Sequence, residues 1–194
     1  MENEITRPRI QIELSNHHVH LSAEAQKILF GEQELTVKKY LNAEKTLFAA
    51  EQTVTVRGPR GELKNFRVLG PSRNYVQVEL LRSDCFPLGV KAPVRDSGDL
   101  DGAAVLTLIG PAGELEAACG IIAQRHIHMS PKLMDECGLK DKQMVSIRID
   151  GERGLIFNQV LVRRAKVNAT VMHVDLEEGN AAGITGGYMA EMLY

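Results

Sequence analysis

His17-His18-Val19-His20-Leu21-Ser22 and Arg125-His126-Ile127-His128-Met129-Ser130 are the two stretches on which the reading of this sequence turns. Each sets two histidines one residue apart and follows them with a serine. Ser22 is suited to cap a helix running through Phe30, with Gly31 as its stop. Ser130 is suited to cap another, with Pro131 at the first helical position and Gly138 as its stop. The echo continues downstream. Val54-Thr55-Val56-Arg57 matches Val145-Ser146-Ile147-Arg148, Gly61-Glu62-Leu63 loosely matches Arg153-Gly154-Leu155, and Val68-Leu69 matches Val160-Leu161. Each copy then closes on a strand carrying a potential ligand, Glu79 in the first and His173 in the second. Such a degenerate repeat predicts two related β units about a pseudo-twofold axis.

Most of the remaining pattern alternates with period two. Arg9–Leu14, Gln52–Arg57, Leu63–Leu69, Tyr75–Leu80, Ala104–Ile109, Met144–Ile149 and Asn158–Val162 read as strands. Gly58-Pro59-Arg60-Gly61, Gly70-Pro71, Gly98-Asp99, Gly110-Pro111 and Gly151-Glu152 punctuate them as turns. A third short helix is expected over Leu176–Ala182. Many short strands with brief helices predict a mainly β fold, two tandem β-barrels capped by short α-helices, rather than a βαβ sheet.

Composition narrows the function. The 194 residues suffice for a large domain or two small ones, and 44% hydrophobic with 25% charged is an ordinary globular balance. A net charge of -2 offers no footprint for a phosphate backbone, so nucleic acid is not expected as a partner. No apolar run approaches the roughly 18 residues of a membrane helix, and the short polar start, Met1 to Arg9, has no secretory h-region. Cys85, Cys119 and Cys137 are odd in number and lack C-x-x-C spacing. They fit small hydrophobes in a reducing cytoplasm better than a disulfide framework or a zinc cluster.

The histidines carry the chemistry. Residues i and i+2 of a strand share a face and lie about 7 Å apart along the chain. Five of the six histidines sit in or beside the two His-x-His motifs, and the sixth is His173. Catalytic zinc takes three protein ligands and leaves a position open. The repeat supplies that number twice: His18, His20 and Glu79 in one set, His126, His128 and His173 in the other. A lone His-x-His is most often a solvated edge or a satisfied core pair. Two copies in matched contexts point to metal, and the absence of cysteine ligands points to catalysis rather than support.

Gly70-Pro71-Ser72-Arg73 lies just upstream of Glu79. With the intervening segment extended, Arg73 would reach the same side as the carboxylate, where it suits phosphate or carboxylate; the alternative is an arginine capping its own turn. Pro93-Val94-Arg95-Asp96-Ser97-Gly98-Asp99-Leu100 alone reads as a solvated, Asx-bonded loop. Neither G-x-x-x-x-G-K-[ST] nor G-x-G-x-x-G occurs.

With these motifs in hand, the sequence resembles the PduL-type phosphate propanoyltransferases, the phosphotransacylases of microcompartment-associated pathways such as propanediol degradation. The carriers are Leu14–Ser22, Val68–Arg73, Ala92–Leu100, Arg125–Ser130, His173-Val174-Asp175 and Asn180-Ala181-Ala182, spanning nearly the whole chain from Ile10 to about Ala182. The resemblance implies the reversible reaction of acyl-CoA (acetyl or propanoyl) with phosphate to give acyl phosphate and CoA. It implies a dinuclear zinc site between two barrels, the central one from residues 17–124 and the C-terminal one from residues 125–194, completed by an N-terminal strand at residues 7–16. His18, His20 and Glu79 would hold one zinc, near the CoA sulfur, and His126, His128 and His173 the other. Arg73 would bind phosphate as the catalytic arginine, while Ser15, Arg67, Leu69, His173 and Asn180 would line the CoA site.

The family usually has arginine where this chain has His17, which suggests a modest change beside the ligands. The first strand begins near residue 9 and leaves no room for a microcompartment-targeting extension, so a form free in the cytoplasm is expected, as a homodimer. Two other readings stay open: a dinuclear zinc hydrolase of thioesters or phosphoesters, and a non-catalytic metal-binding module. Imidazole and carboxylate ligands also accept cobalt, iron or nickel. Acetyl and propanoyl differ by one methylene, about 1–3 kcal/mol in a pocket.

Overall fold

The computed structural model describes residues 7–166 and 169–193. The first stretch of chain forms β1 (Arg9–Ser15), β2 (His18–His20), α1 (Ala23–Phe30), β3 (Val37–Tyr40), β4 (Phe48–Arg57), β5 (Glu62–Gly70) and β6 (Gln77–Glu79). The middle adds α2 (Cys85–Leu88), β7 (Val94–Arg95), β8 (Ala104–Ile109) and β9 (Glu114–Ala123). The last part forms β10 (His126–Met129), α3 (Pro131–Cys137), β11 (Met144–Ile149), β12 (Leu155–Arg164), β13 (Val171–Asp175), α4 (Leu176–Ala182) and β14 (Tyr188–Leu193). The mainly β architecture with short helices is the one the sequence predicts. Among the described residues no helix is long and apolar enough to cross a membrane.

The three helices expected from sequence end where their caps say. The Ser22 side chain accepts from Ala25 N–H, the Ser130 side chain from Leu133 N–H, and Asp175 with Glu178 forms a reciprocal capping box at α4. Gly31, Gly138 and Gly183 terminate them at positive φ, a conformation that costs glycine nothing.

The strands close into two rings of six. One runs β1-β13-β10-β12-β11-β14 and back to β1. In the other, β2 pairs β5 and β6, β6 pairs β9, β5 pairs β4, and β8 closes the ring by pairing both β4 and β9. Strand directions agree position by position. β2 is parallel to β5 and antiparallel to β6, as β10 is parallel to β12 and antiparallel to β13. Even an irregularity repeats. The partner register slips between Val54 and Val56 and again between Val145 and Ile147, and each slip faces a residue at positive φ, Asn65 or Gln159.

This register corrects one part of the repeat read from sequence. Val54–Arg57 does match Val145–Arg148. Val19, however, pairs Val68 while Ile127 pairs Val162, so Val68 corresponds to Val162, two residues beyond the sequence match with Val160. The cause is the hairpin turn between the paired strands: Arg57 pairs Glu62, five residues on, whereas the matching Arg148 pairs Ile156, eight residues on.

By contact, the chain divides into one unit reaching to Ser15 and resuming at Gln124, and another spanning Asn16–Ala123. The strand before each His-x-His motif closes the ring of the other copy: β1 precedes β2 but joins β10's ring, and β9 precedes β10 but joins β2's ring. Each unit has its own apolar core. Val19, Leu29, Phe66, Val78 and Leu106 are buried in one; Ile10, Ile127, Val160, Met172 and Met192 in the other. Full burial of each such side chain is worth about 1.5–3 kcal/mol, so each barrel has a packed interior of its own.

Two long strands do not show in the sequence pattern. β9 carries Ala117-Ala118-Cys119-Gly120, small residues of low strand propensity, because a Cβ at Gly120 would stand 2.6 Å from Leu106 Cδ1. β14 reads Tyr-Met-Ala-Glu-Met-Leu, mostly good helix formers, and is a strand because β1 and β11 pair with it from either side.

Candidate metal centre

The two ligand sets occupy the same place in the two rings. On the three-residue strand β2, Val19 is fully buried in the core, so its neighbours His18 and His20 share the opposite face. On β10, Ile127 does the same for His126 and His128. The third member arrives by cross-strand pairing. Glu79 on β6 lies opposite His18, and His173 on β13 lies opposite His126. Paired residues of adjacent strands put their side chains on one face. The shared register therefore gathers both triads.

The first histidine of each motif is held in one tautomer. His18 Nδ1 lies 2.8 Å from the Asn16 carbonyl oxygen, and His126 Nδ1 lies 2.9 Å from that of Gln124. A carbonyl only accepts, so Nδ1 carries the hydrogen and Nε2 is left to donate its lone pair to a cation. His18 Nε2 is 3.4 Å from Glu79 Oε2, and His126 Nε2 is 3.2 Å from His128 Nε2. Ligands 2.0–2.1 Å from a tetrahedral zinc stand about 3.3–3.4 Å apart, close to these separations. The ligand atoms of His18, His20 and Glu79 all lie within 4.8 Å of one another, the one cluster of its kind among the described residues. In the all-histidine triad the ring centroids stand 4.9, 5.4 and 5.5 Å apart.

His20 supplies a further sign of fit. Its Nε2 is 3.7 Å from Glu79 Oε1, beyond hydrogen-bond length, and its buried Nδ1 has no hydrogen-bond partner among the described residues. A buried polar atom left so costs about 1–3 kcal/mol. A donor set of two imidazoles and a carboxylate, two of them poorly satisfied by each other, suits zinc.

Electrostatics at this triad are strongly coupled. Burial pushes the Glu79 carboxyl up, but the charge and close approach of His18, and then of His20, outweigh it and hold Glu79 well below the ordinary carboxylate range. Burial lowers His20, and the charges of His18 and Arg73 add to it against an opposing Glu79. Burial also lowers His18, yet the Glu79 charge and hydrogen bond, with the Asn16 carbonyl, raise it overall above 6.5.

The sign of the last effect gives a test. With its folded value raised, His18 stabilises the metal-free protein fully below its unfolded pKa, and that contribution fades as pH climbs through the folded value. The proton on Nε2 must leave before that nitrogen can ligate. Zinc uptake near neutral pH is therefore expected to release a proton and to strengthen as pH rises. Titration calorimetry in two buffers of unlike ionisation enthalpy reads this directly; equal heats in both would contradict it.

Arg73 reaches the site by another route than its sequence context implies. The strand expected over Tyr75–Leu80 is only Gln77–Glu79, so no extended segment links Arg73 to Glu79. Instead Arg73 N–H donates to the Leu21 carbonyl at 2.8 Å, and a β-bridge pairs Arg73 with Ser22, two residues past His20. Its charge is felt by both His18 and His20. The side chain is exposed and makes no hydrogen bond or ion pair among the described residues. A guanidinium so placed is open to an anion.

The other residues singled out fall in two groups. Arg67 pairs with His18 on β5 and donates to the Ala50 and Glu51 carbonyls at 3.1 and 2.7 Å; half-buried Leu69 follows two residues on, on the same face. Ser15 pairs with Asp175, the N-cap of α4, and exposed Asn180 lies on that helix, just after His173 on β13. His17 stacks on Phe66 with centroids 4.0 Å apart and bonds Asp84 at 3.0 Å. The equivalent Arg125 lies over Phe157 and pairs with Glu178 at 2.7 Å. His17 thus fills an arginine's place in the same kind of ring-and-carboxylate setting.

Comparison with known proteins gives these sites a context. The family model for phosphate propanoyltransferase matches residues 11–185. The phosphate propanoyltransferase of Thermotoga maritima is 49% identical over 183 residues, 93% of this chain and 87% of that one. That of Salmonella typhimurium is 45% identical over 183 residues, 93% and 87% of the two chains. That of Clostridioides difficile is 39% identical over 198 residues, 100% and 95%. The class is therefore that of the acyltransferases. Within it, the chain belongs to the phosphate propanoyltransferase family.

Proposed function

We propose that the protein moves an acyl group between CoA and inorganic phosphate, acting on acetyl- or propanoyl-CoA in either direction, with one zinc held by each ligand triad. The observation that carries this reading is the exposed Arg73 guanidinium, unpaired among the described residues, beside the converging His18, His20 and Glu79. The resemblance of the whole chain to phosphate propanoyltransferases supports it.

In the forward direction a phosphate oxygen attacks the thioester carbonyl, the C–S bond breaks, and CoA leaves as thiolate. The barrier has three parts: bringing two anions together, charge growing on the carbonyl oxygen, and expulsion of sulfur. Zinc, when bound by His18, His20 and Glu79 and by His126, His128 and His173, supplies Lewis acidity and affinity for soft sulfur. Arg73 binds and aims the phosphate, matching two of its oxygens with a planar fork and offsetting its charge. Ser15, Arg67, Leu69, His173 and Asn180 contact CoA in this reading. Phosphate is already a nucleophile, so no acyl-enzyme is required. Cytoplasmic residence and a homodimer belong to the same proposal; three scattered cysteines suit a reducing compartment.

A zinc hydrolase would use water in place of phosphate, and a metal-binding module would turn nothing over. Thiol release from propanoyl-CoA by the zinc-loaded protein separates the three. We expect release only with phosphate present, one acyl phosphate formed per thiol. Release without phosphate would favour the hydrolase, and none with any short acyl-CoA would leave only the module.

A further inference from the structure

We infer that Gln77 is a positioning residue that fixes the Glu79 carboxylate so that a single oxygen, Oε2, is offered to the cation, and that it ties the loop through Ser97 and Gly98 to that ligand. This rests on the proposed role of Glu79 as a metal ligand.

Gln77 is fully buried on β6, two residues before Glu79 and so on the same face, and it lies opposite His20. A buried primary amide must place one acceptor and two donors, and each has a partner. Its oxygen accepts from Gly98 N–H at 2.8 Å. Its nitrogen donates to Glu79 Oε1 at 2.8 Å and to Ser97 Oγ at 2.9 Å. The Gly98 N–H also settles which way the amide faces, since it must meet an oxygen. The amide hydrogens are therefore directed at Glu79.

The consequence for Glu79 is an asymmetry between its oxygens. Oε1 is occupied by Gln77, with Ser97 Oγ 3.5 Å away. Oε2 faces His18 Nε2. A carboxylate has two equivalent donors and a rotatable terminus, so without such a bond it can switch oxygens or bind through both. An imidazole has one free lone pair and needs no such control. The two barrels differ accordingly: the residue matching Gln77, opposite His128, is Val171, and its neighbour is His173. The amide occurs only beside the carboxylate. The loop expected from sequence to be merely solvated thus meets the site through Ser97 and Gly98.

The test compares Gln77→Leu and Gln77→Met with the parent, loaded with zinc or cobalt. Chelator competition should show one of two bound ions held about 10–100-fold more weakly, the usual cost of removing a group that orients a ligand. The other ion should be held unchanged. The cobalt d–d bands should shift, because the carboxylate changes its mode of binding; a residue that only packs the core would leave them in place. Ser97→Ala removes one of the three bonds of the amide and should move bands and affinity the same way by less. Wild-type bands and affinity in Gln77→Leu, or in Ser97→Ala should the Gln77 variants not fold, would overturn the inference. Glu79→Gln separates the layers. Should Glu79→Gln leave both ions as tightly held as in the parent, the role of Glu79 itself is wrong; should it release one while the Gln77 and Ser97 variants change nothing, only the role of Gln77 is wrong.

Discussion

Arg73→Ala is expected to cut phosphate-dependent cleavage of acyl-CoA by about 10²–10³-fold or more, the cost of removing one well-aimed electrostatic partner in an active site. The zinc content should stay at the wild-type level. The physical case rests on what Arg73 does not do. Its guanidinium makes no hydrogen bond or ion pair among the described residues, and its position is held by the main chain, through the Leu21 carbonyl and the bridge to Ser22. Truncating an exposed side chain of this kind usually shifts stability by less than about 0.5 kcal/mol. Its charge nevertheless bears on His18 and His20. Arg73→Lys should recover only part of the rate, because an ammonium is a point charge and cannot match two phosphate oxygens at once. Initial rates with phosphate varied would show the loss; full activity of the alanine variant with zinc intact would refute the assigned role.

Much of this molecule is legible in its sequence, and the reasons are local. Helix ends follow from Ser22, Ser130, Gly31 and Gly138, because capping is chemistry among neighbours in the chain. The barrel architecture follows from alternation and from the repeat around the two His-x-His strands. What stays hidden depends on pairing. No spacing rule says that Glu79 and His173 sit opposite the first histidine of their motifs; that is a matter of register. The longer turn between Arg148 and Ile156 hides the true match of Val68 with Val162. β9 and β14 carry residues that prefer other structures and are strands because their neighbours hold them. Arg73 approaches through Ser22 rather than along an extended chain. Gln77 is invisible in sequence, since a glutamine in a short strand has many bland uses; only burial and three hydrogen bonds distinguish it.

The second large effect concerns the metal ions themselves. Replacing both histidines of one motif with alanine should remove one ion and lower turnover by about a thousandfold or more, some 4 kcal/mol of barrier. The fold should survive. Each barrel keeps its own apolar core, and the residues between the ligands, Val19 and Ile127, are part of it. This sets the site apart from small zinc-dependent domains, which unfold without their metal. The equivalence of the two rings requires that the motifs behave alike, each answering for one ion. The direct measurement is zinc per chain by elemental analysis of the wild type, His18→Ala/His20→Ala and His126→Ala/His128→Ala. Two, one and one are expected, with unchanged far-ultraviolet circular dichroism. A wild type with no bound metal, or a pair of folded variants that still hold two, would contradict it.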